Sequence, residues 1–311
     1  MMKCLVLSVL IAIAAGSAAG PGLDHANPSM LPVGLLSDSG APLSALAATA
    51  SCGQVSFTRS LRYGEFEQNM LDVATMSSPK DTSPRPVLMV VAGETFTGDG
   101  GDADARTSAL QDEAMCFAAR QGMVGVRMSY RLAPAAPWPA GARDVAAAAS
   151  WIHQNIDLFG GNPQEIIAIG YAAGAFHVAS FLAHREFQPD DSDLAGAVLV
   201  SGIYQAGVDG GDGERAYFGN DASQYDRRSA LPGLLSVQLP LMLAWSASDP
   251  PRLVTQGEQL RQLLCNSVAH CPRTRVLKDR RASGFGPEPS DSGLADLTLE
   301  LVQEIEARGL P

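Results

Sequence analysis

Histidine is scarce in this chain: His25, His153, His177, His184 and His270 are the full set, and none follows residue 270. The C-terminal stretch therefore has no imidazole for proton transfer or metal ligation. Basic residues are also few. Twenty-two Lys and Arg stand against 33 Asp and Glu, a formal net charge of −11. A nucleic acid or anionic membrane partner needs a basic surface, so neither is expected. The acidity is read as a solubilising surface and names no substrate. Beyond the N-terminus no apolar run approaches the ~18 residues of a membrane-spanning helix. No dinucleotide fingerprint, phosphate loop or Cys/His cluster occurs, so no cofactor and no metal is expected. Gly98-Asp99-Gly100-Gly101-Asp102 looks superficially like a calcium loop, but lacks the regular ligand spacing and the terminal Glu. It is read as a turn.

The apolar material that is present is ordered. Met1-Met2-Lys3 supplies a positive charge, residues 4–15 are apolar, and Ser17-Ala18-Ala19 offers small residues for cleavage. Residues 1–19 are thus expected to be a signal peptide, giving a secreted or periplasmic product without a membrane anchor. Residues 20–50, rich in Pro, Ala, Ser and Gly, read as a linker or N-terminal arm. The remainder, 51–311, fits one large α/β domain. Removing the signal leaves Cys52, Cys116, Cys265 and Cys271, an even count in a compartment that permits disulfides. Cys265 and Cys271 flank a short polar segment and are the disulfide candidate. Pairing of Cys52 with Cys116 is only permitted by arithmetic.

From residue 55 the chain alternates strand-like and helix-like segments. Strands are expected at 55–63, 70–75, 87–91, 123–130, 165–170, 195–201, 241–246 and 274–277. Helices are expected at 105–121, 142–159, 173–184, 252–268 and 294–308. This alternation implies right-handed crossovers and a mostly parallel sheet flanked by helices, with sites at the carboxyl ends of the strands. Residues 205–237, Gly- and Asp-rich and then punctuated by Pro, are expected to form a small lid or loop excursion.

Three stretches carry a resemblance. They are Tyr130-Arg131-Leu132-Ala133-Pro134 with Pro137-Trp138-Pro139 and Asp144, then Phe159-Gly160-Gly161-Asn162-Pro163 leading into Ile166 to Gly170, and finally Asp249-Pro250-Pro251. In this order and spacing the sequence resembles the carboxylesterase and hormone-sensitive-lipase-like branch of the α/β-hydrolases, from about residue 55 onward. The resemblance implies an α/β-hydrolase fold. Two of these stretches read as fold-specifying: Arg131 is expected to pair with a buried acid such as Asp144, and Gly160 to Pro163 to stop a helix.

The resemblance also implies a site, and most of its positions are altered. The family places a nucleophilic serine on the turn Gly-x-Ser-x-Gly. Here the turn is Gly170-Tyr171-Ala172-Ala173-Gly174: both glycines are present, and the nucleophile position is Ala172, with no atom able to attack a carbonyl. The histidine position falls at about Gly284. The oxyanion loop, usually His-Gly-Gly, is Ala92-Gly93-Glu94, with Gly93, Glu94 and Ala173 as its donor positions. A carboxylate from Glu94 facing the pocket would oppose an oxyanion, and one facing solvent would not. Only the acid position is kept, at Asp249, which also reads as a helix N-cap before proline. The expectation is a pseudoenzyme without Ser-His-Asp ester hydrolysis, whose pocket takes a small apolar or ester-like ligand, the identity of any protein partner being left open. The alternative is an active ester hydrolase using non-consensus residues such as Ser283, Tyr171 or Glu94.

Overall fold

The computed structural model describes residues 52–79, 83–93, 95–98, 102–267, 271–278, 284–285 and 293–309. All lie in the unit Gly40–Pro311; the signal peptide and arm expected at 1–50, Glu94 and Ser283 fall outside the described residues.

Eight strands form one sheet in the order β1-β2-β4-β3-β5-β6-β7-β8. They are β1 (Val55–Arg62), β2 (Met70–Met76), β3 (Arg85–Gly93), β4 (Val124–Met128), β5 (Gly161–Ala172), β6 (Gly196–Val200), β7 (Leu241–Ser246) and β8 (Arg273–Leu277). β1 and β2 pair antiparallel with their neighbours, and every pairing from β4 to β8 is parallel. The expected strands are all present. β5 is the largest extension, taking in Gly161 to Pro163 and running through the turn to Ala172.

Side chains alternate across a strand, so a doubly covered strand feeds two cores. Val87, Met89 and Val91 of β3 join one core and Leu88 and Val90 the other. Ile166 and Ala168 against Ile167 and Ile169 repeat the division in β5. Helices Ala140–Asn155, Ala173–Ala183 and Pro251–Asn266 line the first face through residues such as Ile152, Phe176 and Leu260. Helices Asp102–Arg120 and Gly293–Ala307 line the second through Ala114, Phe117, Leu297 and Leu301.

Two disulfides are formed, Cys52–Cys116 and Cys265–Cys271. The first ties the chain ahead of β1 to the C-terminal part of the helix Asp102–Arg120. The expected pair Arg131–Asp144 is also there: Arg131 Nη2 lies 2.8 Å from Asp144 Oδ1, and the Arg131 N–H donates to Asp144 Oδ2 at 2.8 Å. It locks the chain leaving β4 onto the helix that follows.

The excursion 205–237 is helical, with helices Asp212–Phe218, Tyr225–Arg228 and Leu231–Leu234. Its Tyr217, Phe218, Leu231 and Leu234 are buried in the first core. Arg252 holds its first half, with Nε 2.9 Å from Asp209 Oδ2 and Nη2 2.8 Å from Glu214 Oε2. Gln256 Oε1 accepts from the N–H groups of Tyr204 and Gln205. The polar composition that suggests a loop serves these surface anchors, while the interspersed aromatics do the packing.

Candidate functional site

At the carboxyl end of the sheet, β5 runs without a break into the helix Ala173–Ala183. Ala172 sits at the junction with φ 47° and ψ −112°. Such a backbone costs a residue with a Cβ roughly 1–3 kcal/mol and persists only where surroundings enforce it. Gly170 is part of the enforcement: a Cβ there would lie 2.6 Å from Ala175 Cα, so only glycine lets strand and helix fold back this tightly. Gly174 and Ala173 are buried beneath the turn. The turn therefore has the tight, strained strand-to-helix backbone that the resemblance leads one to expect at 170–174, and it presents a methyl group. No side chain of the N-cap residue Ala172 caps the helix.

β3 brings the expected oxyanion-loop positions alongside. Ala92 is in register with Tyr171, and Gly93 with Ala172. The strand thus ends level with the turn at Ala172. The next residue, Glu94, lies outside the described residues.

Asp249 follows β7 and is buried. Its Oδ2 accepts from the Ser246 N–H at 2.8 Å and from the Ser201 hydroxyl at 2.6 Å. The N-cap role read from the sequence is corrected: helix Pro251–Asn266 has Pro250 at its N-cap position and no side-chain cap. The carboxylate turns back to the strand ends, where it meets the buried N–H of Ser246. Ser201, with φ 51°, is a participant the sequence did not reveal. A serine directly after a short buried strand gives no signal of a distant acidic partner.

Gly284 has φ 74°, and a Cβ there would come within 2.5 Å of Leu294 Cβ. Its carbonyl accepts from the Ala295 N–H, and Phe285 beside it is buried against Phe117. The backbone at the histidine position is thus packed on the last helix in a conformation suited to glycine.

Histidines elsewhere on the described chain are placed structurally. His177, on the elbow helix, is 1% exposed and surrounded by Phe96, Phe176, Tyr130 and Tyr217. Burial pushes its imidazole down to about 3, so it is neutral at ordinary pH. His153 sits at the surface with Nε2 2.9 Å from Asp193 O, and His184 packs against Trp138 and Phe187. Tyr171 has its hydroxyl pushed well above the usual phenol range by burial, with Glu113 adding to the effect. Among the described residues no group of three His, Cys, Asp or Glu is placed to hold a metal, and no helix is long and apolar enough to cross a membrane.

The mostly parallel eight-stranded sheet flanked by helices on both faces, with a strained strand-to-helix turn at the end of β5, is that of an α/β-hydrolase-fold protein. Residues 48–220 match the profile of the Carboxylesterase family, more than half of the chain, and the chain belongs to that family. It is 35% identical over 133 residues to acetylcholinesterase of Myxine glutinosa, covering 40% of this chain and 38% of the relative. It is 33% identical over 154 residues to esterase LipC of Mycobacterium tuberculosis, covering 47% and 36% respectively. The chain thus spans less than half the length of these relatives. Among solved structures, esterase B from Lactobacillus rhamnosis superimposes with a TM-score of 0.65 at 15% identity, over 86% of this chain and 93% of that one. At that identity the likeness speaks for the fold alone.

Proposed function

We propose that this is an exported member of the carboxylesterase family that does not carry out Ser-His-Asp ester hydrolysis and instead binds a small apolar or ester-like ligand at the former catalytic face. One observation carries the reading: the elbow at Ala172 keeps its strained backbone while offering only a methyl group. Acyl transfer needs an activated oxygen or sulfur at that point, and loss of such a nucleophile costs about 2 × 10⁶ in turnover in the well-studied subtilisin case. Two further features support it. Position 284 is a glycine where the family resemblance puts the base, and His177 is turned into an aromatic cluster. Export is supported by the apolar N-terminal run and by the two disulfides.

An active hydrolase drawing on Tyr171 is disfavoured by the raised hydroxyl, because the neutral phenol is a poor nucleophile. The test is a fluorophosphonate probe and short-chain nitrophenyl esters applied to purified mature protein. No covalent adduct and no turnover above background is expected. An adduct mapped to a defined side chain at the sheet's carboxyl end would overturn the reading. Short acyl esters that raise the melting temperature without being consumed would support the binding role.

A further inference from the structure

Tyr130 Oη and His177 Nε2 are both buried, and neither has a hydrogen-bond partner within the protein. Their residues are 7% and 1% exposed, and the two rings meet edge-on with centroids 4.4 Å apart. A buried donor left unpaired costs roughly 1–3 kcal/mol. Phenylalanine at 130 would fill almost the same volume without that cost. The main chain is also cleared around both rings: a Cβ on Gly93 would collide with Tyr130 Oη, and one on Gly141 with the His177 imidazole. Two glycines are thus used to bring polar rings close to the backbone in a core otherwise walled by Phe96 and Phe176.

The contact on the far side of the imidazole is the basis for assigning its proton. The Gly141 N–H donates to Tyr217 Oη at 3.3 Å, so the Tyr217 hydroxyl hydrogen is free to point elsewhere. It faces His177 Nδ1 at 3.3 Å. With the Tyr217 O–H assigned as the donor, Nδ1 accepts, and a neutral ring carries its hydrogen on Nε2. Two unspent donors result, His177 Nε2–H and Tyr130 O–H, on adjacent rings.

We propose that these two donors hold one buried oxygen acceptor, a resident water, which completes a relay from Gly141 through Tyr217 and His177 to Tyr130. Water suits the place better than an anion: the walls are aromatic, no cation is among the relay's members, and an unpaired charge there would be heavily penalised. Two protein partners are the minimum for such a water, and Tyr130 Oη can also accept one of its hydrogens. The relay spans four elements. Tyr130 follows β4 and lies against Gly93 of the oxyanion strand, His177 belongs to the elbow helix, Gly141 opens the helix Ala140–Asn155, and Tyr217 comes from the excursion. The water site thereby couples the excursion to the strand beside the elbow. The inference rests on packing alone and stands whether or not the protein hydrolyses esters.

Nitrogen-15 NMR of the intact protein at neutral pH tests it directly. His177 is expected as the Nε2–H tautomer, with a slowly exchanging Hε2 that cross-relaxes with a long-lived water. The Nδ1–H tautomer, or a protected Hε2 with no water cross-peak, would overturn the proposal. Tyr130→Phe supplies an independent sign test by urea denaturation. If the hydroxyl is bound to a water, its removal raises the unfolding constant about 5-fold. If the hydroxyl is an orphan, its removal leaves the constant unchanged or lowers it, and the water site is refuted.

Discussion

The Ser201 hydroxyl donates to Asp249 Oδ2 at 2.6 Å, across the carboxyl ends of two neighbouring strands, and the same oxygen accepts from the Ser246 N–H. The carboxylate is therefore satisfied by the scaffold itself and holds β6, β7 and the start of the following helix together. Asp249→Ala leaves a buried N–H and a hydroxyl without this acceptor, at a cost of about 2–3 kcal/mol. Ser201→Ala removes one donor from an ionised acceptor and costs about 1–2 kcal/mol. Urea denaturation of both variants checks the order; equal losses would show that the acid acts only through Ser201, and a negligible loss for Asp249→Ala would show that it contributes nothing to the fold.

Ala172→Gly is expected to stabilise the protein. Relief of positive-φ strain is worth roughly 1–3 kcal/mol, while the extra freedom glycine gives the unfolded chain costs only about 0.4–1 kcal/mol. A net gain near 1 kcal/mol should appear as a higher melting temperature. A lower one would mean the elbow is relaxed with alanine in place.

Placing serine at 172 and histidine at 284, the nucleophile and base positions that the family resemblance implies, should fail. Ala172→Ser adds the hydroxyl to a correctly shaped turn, but Gly284→His puts a Cβ 2.5 Å from Leu294 Cβ on a backbone at φ 74°. Overpacking and strain of this kind cost about 3 kcal/mol or more. The double variant should melt well below Ala172→Ser and hydrolyse nitrophenyl esters no faster. A stable, active double variant would show that the loop at 284 can be reshaped cheaply.

His177 makes stability depend on pH in a defined direction. Its folded imidazole titrates near 3, below the roughly 6.5 of an unfolded chain. As pH falls below about 6.5 the unfolded state takes up the proton first, so stability is complete above that value and is lost progressively toward pH 3. The contribution approaches a slope of one log unit in the unfolding constant per pH unit. His177→Leu should flatten the profile in this window, whatever carboxylates add elsewhere. Parallel profiles for the two proteins would contradict a buried neutral imidazole.

Arg252 pins the excursion through Asp209 and Glu214, and its guanidinium is partly buried with a two-point contact to one carboxylate. Charge-assisted, bidentate geometry of this sort is worth about 1–2 kcal/mol. Arg252→Ala should speed amide hydrogen exchange across 205–218 about tenfold while the strands stay protected. Uniform exchange over the whole domain would indicate that the excursion opens only with global unfolding.

The strands and helices were legible because half-buried helices leave a 3.6-residue period, while Val87 to Val91 and Ile166 to Ile169 are short continuous apolar runs of strand length within an alternating chain. The partner of Arg131 was legible too, since both residues sit in one local stretch. Less visible were contacts between residues far apart in the chain. Ser201 meets Asp249 only after a crossover brings β6 beside β7. Tyr217 reaches His177 only because a Gly- and Asp-rich segment that looks like a loop folds as short helices with its aromatics inward.

The chain's composition determined by itself that residue 172 carries a methyl group, that no imidazole follows residue 270, and that a mostly parallel sheet would form, because atoms that are missing and periods that repeat need no third dimension. Tertiary structure decided that the elbow keeps its strained shape around that methyl, that Asp249 turns to the strand ends and not to a helix cap, and that position 284 is closed to a larger side chain. Those outcomes depend on which surfaces come within a few ångströms, and distance through space is set by packing.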